Sequence, residues 1–182
     1  MSEEDGSTPL LVVRCQLGER EAFRELVRVW HTPLWRYVRG MVGSSCVADD
    51  LAQDAWVAVV RGLPRLRQPE RFAPWLFTIA RRVIADHLRK AYAAQEAPVV
   101  REDAVVADDD PLGGVLDTME IEAGLGGLPP REREVLILFH LQDLPLAVCA
   151  EVIGVPPGTV KSRLHRARHL LRAALVERGY EA

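Results

Sequence analysis

The chain has 182 residues, of which 48% are hydrophobic and 27% are charged, proportions typical of a globular protein with one domain or two small ones. Its formal net charge is only −3, but the charge is unevenly distributed along the chain. No apolar run reaches the ~20 residues of a membrane span, and the opening MSEEDGSTP lacks the basic and apolar regions of a secretory signal, so we expect a cytoplasmic protein without membrane insertion.

The first half of the chain has the periodicity of amphipathic helices. Apolar residues between positions 23 and 41 recur every three or four residues, which predicts one or two helices. A second apolar face follows over positions 47–60, and either Ser45 or Asp49 is suited to cap that helix. The segment 62–74 contains three prolines and predicts a bent connector. The residues that follow, up to about Lys90, predict another helix with one basic face.

Helical periodicity fails between residues 93 and 120, where Ala, Pro, Val, Asp and Gly dominate, and this predicts a flexible acidic linker. Residues 101–122 carry eight carboxylates and one arginine, whereas residues 61–90 are strongly basic. Such sorting of charge along a chain indicates an anionic partner. We therefore expect an all-α protein with two small helical domains, residues 1–92 and 121–182, joined by this linker.

The last third of the chain has the pattern of a helix-turn-helix. A helix is predicted over residues 131–140, and a short apolar helix follows Pro145 and ends at Gly154, a residue suited to a helix C-terminus. A Pro-Pro pair then opens a second helix with one apolar face, and residues 157–172 contain no carboxylate. Two short helices joined by a tight turn form a helix-turn-helix, whose second helix enters the major groove. Lysine and arginine side chains on that second helix bind DNA phosphates and the base edge of guanine.

A phosphate-binding loop and a metal site both fit the residues of this basic helix less well. In a phosphate-binding P-loop the lysine directly follows the second glycine, whereas Lys161 lies three residues after Gly158. His165 and His169 have the spacing of a helical metal site, but the surrounding arginines disfavour a cation, so we expect no metal and no cofactor. A solvated basic face without a ligand remains an alternative, although such faces usually mix both charges. The three cysteines are far apart in sequence and odd in number, and form neither a disulfide framework nor a Cys-x-x-Cys zinc pattern. No catalytic pattern indicates an enzyme.

The two halves together resemble one known family. The stretch LPPREREVLILFHLQDLPLAVCAEVIGVPPGTVKSRLHRARHLLR is similar to region 4 of a bacterial extracytoplasmic-function (ECF) sigma factor of the sigma-70 family. The stretches AFRELVRVWHTPLWRYVRGM, VADDLAQDAWVAVVRGL and RFAPWLFTIARRVIADHLRK resemble region 2 of the same family. The resemblance implies a transcription initiation factor that binds core RNA polymerase and recognises the −10 and −35 elements of promoter DNA.

The resemblance also implies a role for particular positions. Docking on the β′ clamp helices of the polymerase is implied for Asp50, Leu51, Gln53, Asp54 and Trp56. Opening and recognition of the −10 element are implied for Arg65, Arg67, Arg71, Trp75, Arg81, Arg82, Arg89 and Lys90. Contact with the −35 duplex is implied for Thr159, Lys161, Ser162, Arg163, His165 and Arg166. The β flap of the polymerase and an anti-sigma factor are further partners that the family implies.

The sequence departs from the family pattern in two places. The family often has Asn where this chain has Arg82, so the preferred −10 bases cannot be transferred. The helix after Pro145 lacks the usual Ser or Thr at its start, which alters its capping. The main alternatives are a free-standing helix-turn-helix regulator that binds a palindrome as a dimer, and an enzyme that uses the N-terminal half. Neither accounts for the region 2 pattern.

Overall fold

The structure is a computed structural model that describes residues 8–93 and 125–177, and every regular element in those two ranges is helical, which confirms the all-α prediction. The chain divides into two compact units, residues 1–91 and 92–182. Apart from Ala93, the predicted linker lies outside the described residues. The α-helices of the described ranges are α1 (Thr8–Gln16), α2 (Arg20–Val42), α3 (Ser45–Gly62), α4 (Phe72–Ala93), α5 (Pro130–Leu136), α6 (Leu146–Ile153) and α7 (Pro157–Glu177).

The apolar pattern over positions 23–41 belongs to one continuous helix, α2. The cap predicted for the next helix was wrong by at least one residue. Ser44 is the N-cap of α3, and its Oγ accepts a hydrogen bond from the Val47 N–H at 3.5 Å. Ser45 and Asp49 lie inside α3, where Asp49 instead accepts a hydrogen bond from Trp35 Nε1 at 2.7 Å. Ser44, Ser45 and Asp49 all have side chains that can cap a helix, but Ser44 is the one with the extended backbone that an N-cap requires.

Helix α1 had no prediction from the sequence, because its nine residues are too few to establish a helical period. Leu11 and Val12 are buried against the rest of the first unit. Gln16, the last residue of α1, donates through Nε2 to the carbonyl oxygens of Leu63 and Leu66, at 2.9 and 2.8 Å. These two bonds attach α1 to the Pro-rich connector, which consists of two short 3₁₀ turns.

An aromatic cluster fixes the beginning of α4 against α2. Trp30 packs edge-to-face on Phe72 and Phe77, with ring centroids 5.6 and 6.3 Å apart. Tyr37 packs on Phe77 in the same way at 5.4 Å. Such aromatic pairs contribute roughly 0.5–1.5 kcal/mol each beyond the area that they bury. Because Phe72 is the first residue of α4, the cluster holds the end of the connector against α2.

The second unit contains the predicted helix-turn-helix. Helix α5 continues through a π-helical turn, Ile137–Leu141, so the helix predicted over residues 131–140 is present but changes its winding. Pro145, predicted to lie in the first turn of this helix, is instead the N-cap of α6, one residue before the first turn. Leu170 is half-buried, and the other apolar residues predicted to hold the basic helix in place are buried: Val160, Leu164, Ala167, Leu171 and Leu175.

Gly154 makes the turn between α6 and α7. It has a φ of 77°, and its N–H donates to the Ala150 carbonyl at 2.9 Å. An added Cβ meets nothing within 4 Å, so only backbone strain opposes a side chain there. We expect Gly154→Ala to lower the free energy of unfolding by about 1 kcal/mol.

The matched control for this change is Gly158→Ala in the first turn of α7. Gly158 has equal space around it but no positive φ, so alanine is expected to be neutral or slightly stabilising there. Urea unfolding of the two variants measures the difference, and equal losses of stability in both would contradict the strain argument.

Candidate nucleic-acid interface

The basic helix predicted to bind DNA is α7. Its predicted DNA-binding residues lie on the side of the helix opposite the buried apolar residues. Lys161 and Arg166 are exposed, and the other four predicted −35 residues are half-buried: Thr159, Ser162, Arg163 and His165. All six lie in the first three turns of α7, directly after the turn at Gly154. In a helix-turn-helix this part of the second helix carries the side chains that contact base edges.

Some of the six predicted −35 side chains contact other residues of the protein, and others do not. Ser162 Oγ donates to the Thr159 carbonyl at 3.0 Å, and the Nε2 atoms of His165 and His169 lie 3.1 Å apart. The side chains of Lys161 and Arg163 make no hydrogen bond or ion pair with any residue in the described ranges. These two cations are therefore available for phosphate or base contacts without breaking a contact within the protein.

Two arginines of α7 contact α5 and the π-helical turn. Arg166 Nε lies 3.8 Å from Oε1 of Glu132, whose surface is only 8% exposed. Arg168, which is half-buried, stacks over the Phe139 ring at 5.8 Å and donates to His140 Nε2 at 3.4 Å. Sequence analysis missed these pairings because about thirty residues separate the partners and no local pattern connects them.

The basic residues of the first unit lie on the connector and on α4. Arg81 and Trp75 are half-buried, and the remaining predicted −10 residues are exposed: Arg65, Arg67, Arg71, Arg82, Arg89 and Lys90. Arg89 forms an ion pair with Asp86 at 2.7 Å. A cavity of about 500 Å³ opens at the connector, lined by Gln16, Pro64, Arg65, Leu66 and Arg67. Gln16 was missed as a lining residue because α1 itself was not predicted.

Trp75 packs over Gly62, the last residue of α3. A Cβ at position 62 would lie 2.8 Å from Trp75 Cζ2, so alanine there must displace the indole. We expect Gly62→Ala to cost about 1–3 kcal/mol of stability and to change the tryptophan fluorescence. In a Trp75→Phe background the smaller ring removes the clash, and Gly62→Ala is expected to cost less. An equal cost in both backgrounds would contradict this steric mechanism.

The acidic face predicted to bind polymerase is on α3. Asp50, Gln53 and Asp54 are exposed, and their side chains make no hydrogen bond or ion pair with other residues in the described part of the chain. Leu51 and Trp56, predicted with them, are only 5% and 8% exposed. Their side chains hold α3 in the first unit, where the Trp56 ring packs edge-to-face on Phe23 at 6.1 Å.

Two apolar residues that sequence analysis did not single out for binding extend this surface. Val57 and Val60 are exposed. Val57 lies three residues after Asp54 and seven after Asp50, on the same face of α3, and Val60 lies seven residues after Gln53, at the side of that face. The exposed face of α3 is therefore partly acidic and partly apolar.

The cysteines differ strongly in accessibility. Burial raises the pKa of the Cys149 thiol to about 11, whereas Cys46 is exposed on α3. A raised thiol pKa stabilises the folded state below the ordinary value of 9.0, and this stabilisation is lost as pH rises towards the folded-state value. Because the thiolate is the reactive form, we expect iodoacetamide to alkylate Cys46 in the native protein and Cys149 only after unfolding. Mass spectrometry checks this, and native labelling of Cys149 would contradict it.

Within residues 8–93 and 125–177, no group of three or more His, Cys, Asp or Glu residues is placed to hold a metal ion. None of the helices described is long and apolar enough to cross a membrane.

The fold and its charged surfaces define a two-unit, all-helical protein with a helix-turn-helix, a class that includes DNA-binding transcription factors. Residues 26–93 match the family model for sigma-70 region 2, and residues 118–171 match the model for sigma-70 region 4. The probable RNA polymerase sigma-C factor of Mycobacterium bovis is 30% identical over 94% of this chain and 93% of its own length. The ECF sigma factor SigM of Mycobacterium tuberculosis is 35% identical, covering 87% of this chain and 79% of its own.

Solved structures agree with these matches. The sigma factor RpoE of Bartonella quintana, solved in complex with the anti-sigma factor NepR, aligns with a TM-score of 0.68 and 26% identity over 84% of this chain and 96% of its own. CnrH, solved with the cytosolic domain of CnrY, shares the fold with a TM-score of 0.69 and 24% identity over 94% of this chain and 98% of its own. The chain belongs to the ECF RNA polymerase sigma factors, which direct core RNA polymerase to specific promoters and are regulatory rather than catalytic proteins.

Proposed function

We propose that this sigma factor divides its contacts among three surfaces: the exposed face of α3 for polymerase, the connector with α4 for the −10 element, and α7 for the −35 element. In domain terms, residues 1–92 bind polymerase and the −10 element, residues 93–120 link the domains, and residues 121–182 bind the −35 element. The matches to the region 2 and region 4 models support this division. We further propose that the protein works in the cytoplasm and catalyses no reaction itself.

The observation that carries the −35 assignment is the exposed basic face of α7, which lies opposite its buried apolar side. Lys161 and Arg163 have no partner in the described residues, so binding DNA costs no contact within the protein. Lysine suits a phosphate, and arginine suits either a phosphate or the paired acceptors of guanine. Thr159, Ser162 and His165 lie between these cations and complete the surface with hydrogen-bonding groups.

The −10 assignment is supported by the combination of a cavity with exposed arginines. An opened promoter presents single-stranded DNA, which binds in basic grooves and needs a place for unstacked bases. Arg65 and Arg67 line the cavity at the connector, and Gln16 holds the connector to α1 by two hydrogen bonds. Trp75, half-buried over Gly62, offers an aromatic surface for stacking.

The polymerase assignment is supported by the mixed surface of α3. Asp50, Gln53 and Asp54 supply charge and hydrogen-bond acceptors for a basic partner such as the β′ clamp helices, while Val57 and Val60 supply apolar area. Leu51 and Trp56 contribute indirectly in this proposal, since their burial fixes the orientation of α3. The β flap is proposed as the contact of the second unit.

An anti-sigma factor is proposed as a further partner. The structures of RpoE and CnrH were each solved with a second protein, NepR and the cytosolic domain of CnrY respectively. A protein that covers the mixed surface of α3 would prevent binding to polymerase, which is the simplest way for such a partner to hold the sigma factor inactive.

A run-off transcription assay tests the proposal. The full chain is combined with core polymerase and a promoter library, and transcripts from defined start sites are expected to share two separated sequence elements. Scrambling either element is expected to abolish the transcript. Binding to a palindromic site without polymerase would instead support a free-standing helix-turn-helix regulator.

A further inference from the structure

Glu132, in the first turn of α5, is a carboxylate with only 8% of its surface exposed. Its Oε1 lies 3.8 Å from Arg166 Nε, and this is the only ion pair or hydrogen bond of Glu132 among the described residues. An ionised carboxylate is costly to bury without a compensating charge. Among the described residues, Arg166 is therefore the cation that pairs with this largely buried side chain.

The same contact leaves Arg166 available to a partner outside the protein. About half of the Arg166 side chain, 52%, is exposed. The pair is made through Nε, and at 3.8 Å it is an ion pair rather than a direct hydrogen bond. Bidentate recognition of guanine or phosphate by arginine uses two N–H groups of the guanidinium, and the ion pair with Glu132 is formed through Nε rather than through a terminal Nη atom.

We propose that Glu132 is a positioning residue for recognition of the −35 element. It holds the guanidinium of Arg166 by its Nε side, so that the Nη atoms are presented to DNA in one orientation. This inference rests on the proposed role of α7. Arg163, on the same helix, has no such partner in the described residues and serves as the comparison.

The test is a double-mutant cycle on holoenzyme made from the full chain and core polymerase. Two promoters that differ only by an intact or a scrambled −35 element give a discrimination ratio. We expect Glu132→Gln to lower this ratio roughly five-fold, the lower end of what one bidentate base contact contributes. In an Arg166→Ala background we expect Glu132→Gln to cause no further loss of the discrimination ratio. In an Arg163→Ala background we expect Glu132→Gln to lower the ratio by the full five-fold.

The melting temperature tests the Glu132–Arg166 pairing itself, whereas the discrimination ratio tests whether that pairing positions Arg166 for DNA. Arg166→Ala leaves a buried carboxylate unpaired, so we expect its melting temperature to fall and Glu132→Gln to restore it in the double variant. If Arg166→Ala does not fold at the assay temperature, Arg166→Lys replaces it, because lysine keeps the charge and loses the bidentate geometry. In the Arg166→Lys background, too, we expect Glu132→Gln to cause no further loss of the discrimination ratio.

Two results would overturn the proposal: an unchanged ratio in folded Glu132→Gln, or an equal effect of Glu132→Gln with and without Arg166. A wild-type chain whose transcription ignores the −35 element is a different failure, because it would overturn the proposed role of α7 itself.

Discussion

Charge reversal on the exposed face of α3, as Asp50→Lys with Asp54→Lys, is expected to reduce promoter-specific transcription about ten-fold or more. The physical reason is that a carboxylate surface facing a basic partner becomes a like-charge contact, which costs several kcal/mol at an interface. Both side chains are exposed and have no partner in the described residues, so the fold is expected to tolerate the change. Direct binding of the variant to core polymerase, followed by native gel or anisotropy, measures the effect.

The matched control for this reversal is Glu21→Lys with Glu25→Lys on α2. It changes the net charge by the same amount on exposed carboxylates whose only ion pairs in the described ranges are with Arg24 and Arg28 on the same helix. The control is expected to bind polymerase nearly as well as the wild type. Equal losses in the two double variants would mean that overall charge, and not the surface of α3, governs binding.

The periodic patterns of the sequence were sufficient for most of the fold. Helices α2, α3, α4 and the helix-turn-helix follow from apolar spacing and from Gly154, because their stabilising contacts lie on one face of each helix. Helix α1 has too few residues to establish a period, and its position depends on hydrogen bonds from Gln16 to a connector about fifty residues away.

In the candidate sites, too, features that depend on nearby residues could be predicted from the sequence, whereas features that depend on residues far away in the chain could not. The exposed charges on α7 could be predicted, since residues 157–172 contain no carboxylate and their cations must lie outward once the apolar face of the helix is buried. The resemblance grouped Leu51 and Trp56 with surface residues, although both are buried, because a family motif does not separate side chains that contact a partner from those that support them. Glu132 was not considered at all, since its importance depends on the distant Arg166.

Removing both unpartnered cations of α7, as Lys161→Ala with Arg163→Ala, is expected to lower affinity for promoters with a −35 element while leaving thermal stability unchanged. Each contact with a phosphate contributes about one unit to the slope of log affinity against log salt, so the slope is expected to fall by up to about two units. A contact of Arg163 with a base would instead appear as weaker discrimination at one position of the element. Holoenzyme binding measured across a salt series on promoters with and without the −35 element distinguishes these outcomes.

Comparison with a charge-matched variant decides whether the location of the cations matters. Arg20→Ala with Arg36→Ala removes two exposed cations from α2 in the first unit and is expected to leave the −35-dependent part of the affinity unchanged. Arg166 is unsuitable as the primary test, because its loss also leaves Glu132 unpaired and confounds DNA contact with stability. If the two double variants lose −35-dependent affinity equally, the basic face of α7 acts only through long-range charge, and specific recognition must come from other residues.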